Sequence, residues 1–515
     1  MEEQLAKNAN HFVRPPELTP ERLRRLREEH FAVIDIGSNS VRLVVYDRLS
    51  RSPFPRFNEK SLCGLGQGLR ETGELAGDAM DHTLQTMVRF AAICEAMDVG
   101  RVDVIATEAI RKARNGDQFV RRLNDVGGMK VRVLSGPEEA TFAALGVVSG
   151  FYRAKGLIGD MGGGSLEIAE VADERVGDRL VSLPLGALPV KAMLAAGGKS
   201  ARKEVDSVLK DQLPPSTLVA PVLYAVGGGW RALARVHMAV TDDPIGVSHN
   251  YEMELAEARE LAKRISRLDE TAIAALPGVP TRRVTTLAAS ALVMDRVLKH
   301  MAPQQVIFSS LGLREGWLYE QLPEEERGLD PLLEGVQAMA LLSARVPEFA
   351  LALVRWTDDL FLGEEPTERR LRVAACALSD IAWRDQSCVL AHQSFERILR
   401  FPFIGITHPE RAFLAATVHS RYGSPADDPA LGLLTEQQRH RANILGLALS
   451  LGYRFSGSVP AILDQAHLKI ETDTVRMIVD DSRRVPDSDT VRSRLQRLAK
   501  AMGIPQSEVV YECMG

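Results

Sequence analysis

Cysteine is scarce in this chain: the five present, Cys63, Cys94, Cys376, Cys388 and Cys513, are odd in number, scattered, and never spaced as Cys-x-x-Cys. That excludes a disulfide framework and a thiolate zinc site, and it fits a reducing compartment. Long apolar runs are missing too, since none approaches the ~20 residues that span a bilayer. The opening stretch Met1 to Asn10 is acidic and amphipathic rather than basic followed by an apolar core, so the expectation is a cytoplasmic protein without a membrane partner. Nor is there an excess of one charge sign. Lys and Arg total 63 against 68 Asp and Glu, a net charge of -5, so no global field draws in polyanions and no nucleic-acid partner is expected. A phosphate-rich ligand would have to be held by local arginines and backbone amides.

What is present is ordinary globular material, 45% hydrophobic and 25% charged over 515 residues, too long for a single core. Residues 1–30 include the charged stretch Glu21-Arg22-Leu23-Arg24-Arg25-Leu26-Arg27-Glu28-Glu29, read as a solvated extension. From Phe31 strands and helices interleave: Ala32–Ile36, Val41–Tyr46, Val102–Ala106, Val131–Leu134, Leu157–Asp160 and Leu166–Val171 read as strands, and Asp78–Met97 as a crossover helix. Pro331–Tyr453 is nearly all helical pattern, rich in Ala, Leu and Arg. The tail returns to mixed character, with strands Ala466–Ile470 and Thr474–Val479, a helix Asp489–Met502 and a short strand near Val509–Tyr511.

One segment echoes another. Val33-Ile34-Asp35-Ile36-Gly37-Ser38-Asn39-Ser40 and Leu157-Ile158-Gly159-Asp160-Met161-Gly162-Gly163-Gly164-Ser165 share a strand, an Asp-x-Gly and a small polar turn, which suggests two similar domains. In the first copy Gly37 permits a sharp turn, so the amides of Ser38, Asn39 and Ser40 can point together at an anion. Taken alone it is an ordinary turn. In the second, Gly162, Gly163, Gly164 and Ser165 leave the backbone bare for a phosphate, while Asp160 and Glu167 supply hard oxygens suited to one magnesium ion. A third run, Val226-Gly227-Gly228-Gly229-Trp230-Arg231, follows a strand and opens a helix, where a helix N-terminus receives anions. Arg111, in Thr107–Arg114, sits at the exit of a strand, where α/β proteins bind ligands. In Ser135-Gly136-Pro137-Glu138-Glu139-Ala140 the spacing makes Ser135 and Glu138 a capping box. Glu139 is then spare, and a carboxylate at the mouth of a phosphate cleft can orient or deprotonate a water. The plainer reading of Glu139 is a second acid in the first helical turn.

These motifs in this order, together with Leu311-Gly312-Leu313-Arg314-Glu315-Gly316, resemble the exopolyphosphatase and guanosine pentaphosphate phosphohydrolase family of the sugar kinase and actin-like superfamily, over roughly residues 31–320. The resemblance implies an α/β fold of two actin-like (ribonuclease H-like) domains, 31–142 and 143–325, with a cleft between them. An all-helical degenerate HD-like domain at 326–453 and a small α+β domain at 454–515 follow. It further implies Glu139 as the catalytic base and Arg111 as a phosphate contact. Phosphate loops fall at Ser38–Ser40 and Gly162–Ser165, with Gly228 and Gly229 in the third glycine run. Arg283 lines a polyphosphate path, and Asp160, Glu167 and Asp35 are metal-associated carboxylates for Mg2+ or another divalent cation. Val284-Thr285-Thr286 departs from the family's Ala-Asp pair after that arginine. The HD doublet appears as Ser379-Asp380, which makes the helical domain a binding or dimerising element. The implied substrate is inorganic polyphosphate, with guanosine pentaphosphate as the alternative and a kinase or ATPase as a more distant one that the bulk of Trp230 opposes. A homodimer is expected. Arg283 and the helical-domain residues Arg369, Arg370 and Arg372 are the candidates for gripping a long chain.

Overall fold

The computed structural model describes residues 30–126, 128–172, 174–213, 220–423, 427–480 and 487–512. The expected N-terminal extension lies outside them apart from His30. Two compact units divide the chain at residue 328.

The first unit holds two sheets of matching design. In the first sheet, β1 (His30–Ile36), β2 (Val41–Tyr46) and β3 (Pro55–Ser61) run antiparallel, while β4 (Val99–Ala106) and β5 (Val131–Val133) extend the other edge in parallel, in the order β3-β2-β1-β4-β5. The second sheet comprises β6 (Gly156–Met161), β7 (Leu166–Ala172), β8 (Arg175–Leu183), β9 (Val222–Val226), β10 (Tyr251–Glu254) and β11 (Gln305–Phe308). Its order is β10-β11-β9-β6-β7-β8, again an antiparallel hairpin flanked by parallel strands. The echo in the sequence is therefore a repeat of topology. Asp35 and Asp160 are each the penultimate residue of the strand that enters the hairpin.

Alternation along β1 explains its burial on both faces. Ala32, Ile34 and Ile36 join one core with Met87, Phe90 and Cys94 of helix Gly77–Ala96, whose apolar residues recur at helical spacing. Phe31 and Val33 join another with Phe142, Trp317 and Leu318. The latter brings helix Leu313–Glu320 back onto the first sheet, late in the sequence but central in the fold. It crosses helix Gly136–Gly150 almost backbone to backbone. A Cβ at Gly316 would collide with the Phe142 carbonyl, and one at Gly146 with the Gly312 carbonyl. Of the glycines in Leu311–Gly316, Gly316 is there for that approach, whereas a Cβ on Gly312 would meet the Val226 side chain.

The second unit begins with helices Pro331–Ser343, Phe349–Asp358, Pro366–Leu378, Leu390–Arg400, His408–Tyr422 and Glu436–Ser456. Strands β12 (Ala466–Ile470), β13 (Thr474–Asp480) and β14 (Gln506–Glu512) and helix Asp489–Ala501 complete it. The helical and mixed segments expected from the pattern are both present. Two of the arginines expected along a substrate path are not available for it. Arg370 and Arg372 are each 1% exposed, the first ion-paired with Asp330 and the second with Glu364 and Asp358. Their sequence looks like a basic surface, but a helix buried on that side can hold arginines only by pairing them. At the Ser379-Asp380 doublet, Ser379 donates to the Cys376 carbonyl (2.7 Å), and the Asp380 carboxylate accepts from Arg421 (2.8 Å) and Arg345 (3.2 Å). The described cysteines are all free. Among the described residues, no helix is long and apolar enough to cross a membrane.

Candidate active site

A cavity of about 190 Å³ lies between the two sheets of the first unit, lined by both hairpin turns. The turns are built alike. Gly37 N–H donates to the Ser40 carbonyl (3.0 Å), and the Ser38 and Asn39 carbonyls accept from Gly66 (2.6 Å) and Gly64 (3.2 Å). In the second turn Gly162 N–H donates to the Ser165 carbonyl (3.0 Å). There the Gly162, Gly163 and Gly164 carbonyls accept from Ala187 (3.2 Å), Leu188 (2.8 Å) and Gly186 (3.1 Å). With carbonyls tied back on both sides, the amides of Ser38, Asn39, Ser40, Gly163, Gly164 and Ser165 are left without a protein acceptor among the described residues. Amides disposed in this way form an anion cradle. The two cradles face each other: a Cβ on Gly163 would stand 3.4 Å from the Ser38 side chain and 3.5 Å from Asn39.

Helix Gly136–Gly150 presents Glu139 to the cavity. Ser135 and Glu138 form the capping box, with Glu138 accepting from the Ser135 amide (2.8 Å) and its own amide donating to Ser135 Oγ (3.3 Å). The bond from Ser135 N–H foremost, then those from Arg132 and the Ser135 hydroxyl, hold the Glu138 carboxyl down at about 2. Glu139, the next residue, turns inward, is 5% exposed and lines the cavity. Burial pushes its carboxyl up to about 7 against the pull of Arg111, with Glu108 and Asp35 adding to the rise. Arg111 stands behind it rather than in the cavity lining, donating to Glu139 and to the Leu134 carbonyl.

Asp160 and Glu167 are direct partners across the β6–β7 hairpin, so their side chains share one face. Burial lifts Asp160 to about 6, and burial with the charges of Glu139 and Asp160 lifts Glu167 well above the usual carboxylate range. Two adjacent buried acids in this state favour a cation, and hydroxyls of Ser165 and Ser182 already donate to Glu167. Asp35 belongs to the same cavity but is engaged by Arg314 (2.9 Å). Among the described residues, no three His, Cys, Asp or Glu side chains converge closely enough to hold a metal by themselves. Oxygens of water or of a phosphate ligand would complete the shell, the usual situation for magnesium.

Gly228 lines the cavity beneath the Arg283 guanidinium. Gly229 does not, because it abuts Ser290, and Trp230 is wholly buried with its ring against Gly159 and its indole N–H on the Ser290 carbonyl (3.0 Å). The expected obstruction by Trp230 therefore falls in the core, where helix Gly228–Val240 packs on β6, and not in the ligand space.

Several functional groups escaped the sequence reading. Arg231, beside Trp230, reaches the cavity and donates to the Ser309 carbonyl (3.0 Å). Arg42 and Lys60 line it too. Strand register puts Asp35, Arg42 and Lys60 in one row across β1, β2 and β3. Burial and the nearby Arg283 and Arg42 charges bring the Lys60 amine down to about 7. Arg42 was legible as the residue that alternation places opposite Asp35. Lys60 lies on a strand, Pro-Arg-Phe-Asn-Glu-Lys-Ser, whose polar composition conceals it. Glu108, paired with Lys112, lines the cavity and stands against Gly164, where a Cβ would collide with its carboxylate.

Residues 44–325 match the family model for the Ppx/GppA phosphatase family, and residues 332–509 match the model described as exopolyphosphatase, C-terminal. The chain is 28% identical over 309 residues to Exopolyphosphatase 1 of Mycobacterium leprae (strain TN), covering 58% of this chain and 90% of that protein. It is 24% identical over 527 residues to Retrograde regulation protein 2 of Saccharomyces cerevisiae, covering 90% and 88% respectively. The crystal structure of an exopolyphosphatase from Cytophaga hutchinsonii shares the fold, with a TM-score of 0.51 at 23% identity over 60% of this chain and 98% of that one.

Proposed function

This chain belongs to the Ppx/GppA phosphatase family and is a phosphohydrolase, and from that premise we propose that it is an exopolyphosphatase, releasing orthophosphate from the end of inorganic polyphosphate. The observation that carries the choice of substrate is the cavity wall. Among the described residues it contains Arg42, Lys60, Arg231, Arg283 and Arg314 and two amide turns, and not one aromatic side chain. A purine would find no ring to stack on, while successive phosphates would find a donor at each step.

In this reading the terminal phosphate lies between the turns of Ser38–Ser40 and Gly162–Ser165, whose amides neutralise its oxygens without reorganisation. Glu139 accepts a proton from an attacking water, and burial has brought its acidity near neutral, where a base works best. Arg111 orients that carboxylate from behind. The entering oxygen and the departing chain lie in line, and the leaving phosphate is met by Arg42, Lys60 and Arg283. Asp160 and Glu167, with Asp35 nearby, fit a divalent ion such as magnesium, which when bound supplies charge neutralisation on phosphoryl oxygens.

The alternative substrate, guanosine pentaphosphate, would use the same turns and the same glutamate. Phosphate release measured in parallel from long polyphosphate, tripolyphosphate and guanosine pentaphosphate, with and without magnesium, separates them. The expected result is the highest kcat/KM on long polyphosphate. Activity on the nucleotide alone would overturn the substrate while leaving the phosphohydrolase chemistry standing.

A further inference from the structure

In the second unit, helices His408–Tyr422, Glu436–Ser456 and Asp489–Ala501 enclose a cavity of about 40 Å³, lined by Ser420, Arg421, Tyr422, Gly423, Leu447, Ser450, Arg494 and Arg497. Its charges do not balance. Arg421 is buried, pairs with Asp380 (2.8 Å), and lies over the rings of Tyr453 (3.7 Å) and Tyr422 (4.3 Å). That one carboxylate is shared with Arg345 (3.2 Å). Arg494 donates to Ser450 Oγ and Arg497 to the Gly423 carbonyl (3.4 Å), and among the described residues neither has a carboxylate partner. Among the described residues, the buried Nε atoms of Arg421 and Arg494 have no acceptor. Burial foremost, and then the charges of Arg454, Arg497 and Arg421, lower the affinity of Arg494 for a proton, and each of those charged neighbours is another arginine.

Gathering guanidiniums at a half-buried place raises the free energy of the folded chain unless something compensates them. Serine hydroxyls and arginine N–H groups around a small cavity are the donor set that a tetrahedral oxyanion satisfies. We propose that this cavity is a second phosphate-binding site, separate from the cleft of the first unit, which takes one phosphate group between Arg421, Arg494, Arg497, Ser420 and Ser450. The group can arrive as free orthophosphate or as the end of an oligophosphate. Among the described residues the lining holds no carboxylate placed to act on water, since Asp380 is spent on Arg421 and Arg345, so the site binds without hydrolysing.

The test counts phosphates bound to the full chain. Equilibrium dialysis with radiolabelled orthophosphate is compared for the unsubstituted protein, Arg497→Gln and Arg494→Gln/Arg497→Gln. A parallel arm uses tripolyphosphate on a Glu139→Gln background. Arg497 is exposed, so its single substitution leaves folding intact. The expected result is that Arg497→Gln weakens one class of sites about tenfold, as loss of one charge-assisted contact does, and that the double variant loses one equivalent. That loss is expected whether or not orthophosphate also occupies the catalytic cleft, so the result stands apart from the reading given above. Tripolyphosphate binding tighter than orthophosphate at this class identifies an oligophosphate end as the ligand, and equal affinity identifies the free ion. Unchanged stoichiometry and affinity in Arg497→Gln and in the double variant would overturn the proposal.

Discussion

Arg314, from the helix that packs back onto the first sheet, donates to Asp35 on the first strand of that sheet at 2.9 Å. The contact bridges 279 positions of sequence and sits in the cavity wall. The surrounding negative charges of Glu315 and Asp35 hold the guanidinium firmly protonated in spite of its burial. Removing it leaves a half-buried carboxylate without its partner. Arg314→Ala is expected to destabilise the first unit by about 2–3 kcal/mol, somewhat below the range for a fully dry pair because Asp35 keeps contact with solvent. Urea unfolding measures this, and a change within about 0.5 kcal/mol, the usual range for a surface position, would contradict it.

A second expectation concerns the crossing of helices Gly136–Gly150 and Leu313–Glu320. Because a Cβ at Gly316 meets a backbone carbonyl that cannot yield, Gly316→Ala should cost about 3 kcal/mol through forced separation of the helices. The same substitution at Gly363, where nothing stands within 4 Å but the backbone is left-handed, should cost only about 1 kcal/mol. Paired melting curves of the two variants decide the point.

The pH profile of kcat/KM reports groups of the free enzyme. Glu139, raised to about 7, must lose its proton to act, so the rate rises as pH passes through neutrality. Lys60, lowered to about 7, loses its charge over the same interval, so attraction of the polyanion falls as pH rises further. The expected profile is a narrow bell near neutral pH. Lys60→Arg keeps the cation at all working pH values and should move the falling limb upward by more than one unit. An unaltered falling limb would assign it to another group.

For the cation, Asp160→Asn and Glu167→Gln are expected to raise the magnesium concentration giving half-maximal rate at least about tenfold, as each removes one hard ligand. Titration curves identical to that of the unsubstituted enzyme would put the ion elsewhere.

Much of this architecture was legible in the sequence, for identifiable reasons. The hairpin turns and the capping box carry local signals: Asp35 and Asp160 repeat in matching frames, and Ser135 with Glu138 frees Glu139 to turn inward. The C-terminal helices and strands followed from period alone. What escaped depends on contacts far apart in sequence. Trp230 looked like an obstacle in the ligand space until the packing of helix Gly228–Val240 against β6 placed it in the core, which left Arg231 as the residue that enters the cavity. Arg370 looked free to grip a substrate because its partner Asp330 lies 40 positions away, whereas the partner of Arg372, Glu364, lies only eight positions away and was within reach of a local reading. Lys60 required the register of a polar edge strand that no alternation announces.

The central claim rests on Glu139, and the most direct measurement is single-turnover phosphate release by Glu139→Gln with saturating polyphosphate and magnesium. The substitution keeps the size of the side chain and an acceptor for Arg111 but removes the base. The account predicts a fall in turnover of at least ~100-fold, the scale of a lost general base, with polyphosphate affinity changed only a few-fold. Turnover within a few-fold of the unsubstituted enzyme would contradict it and return Glu139 to the plain role of an acid in the first turn of its helix.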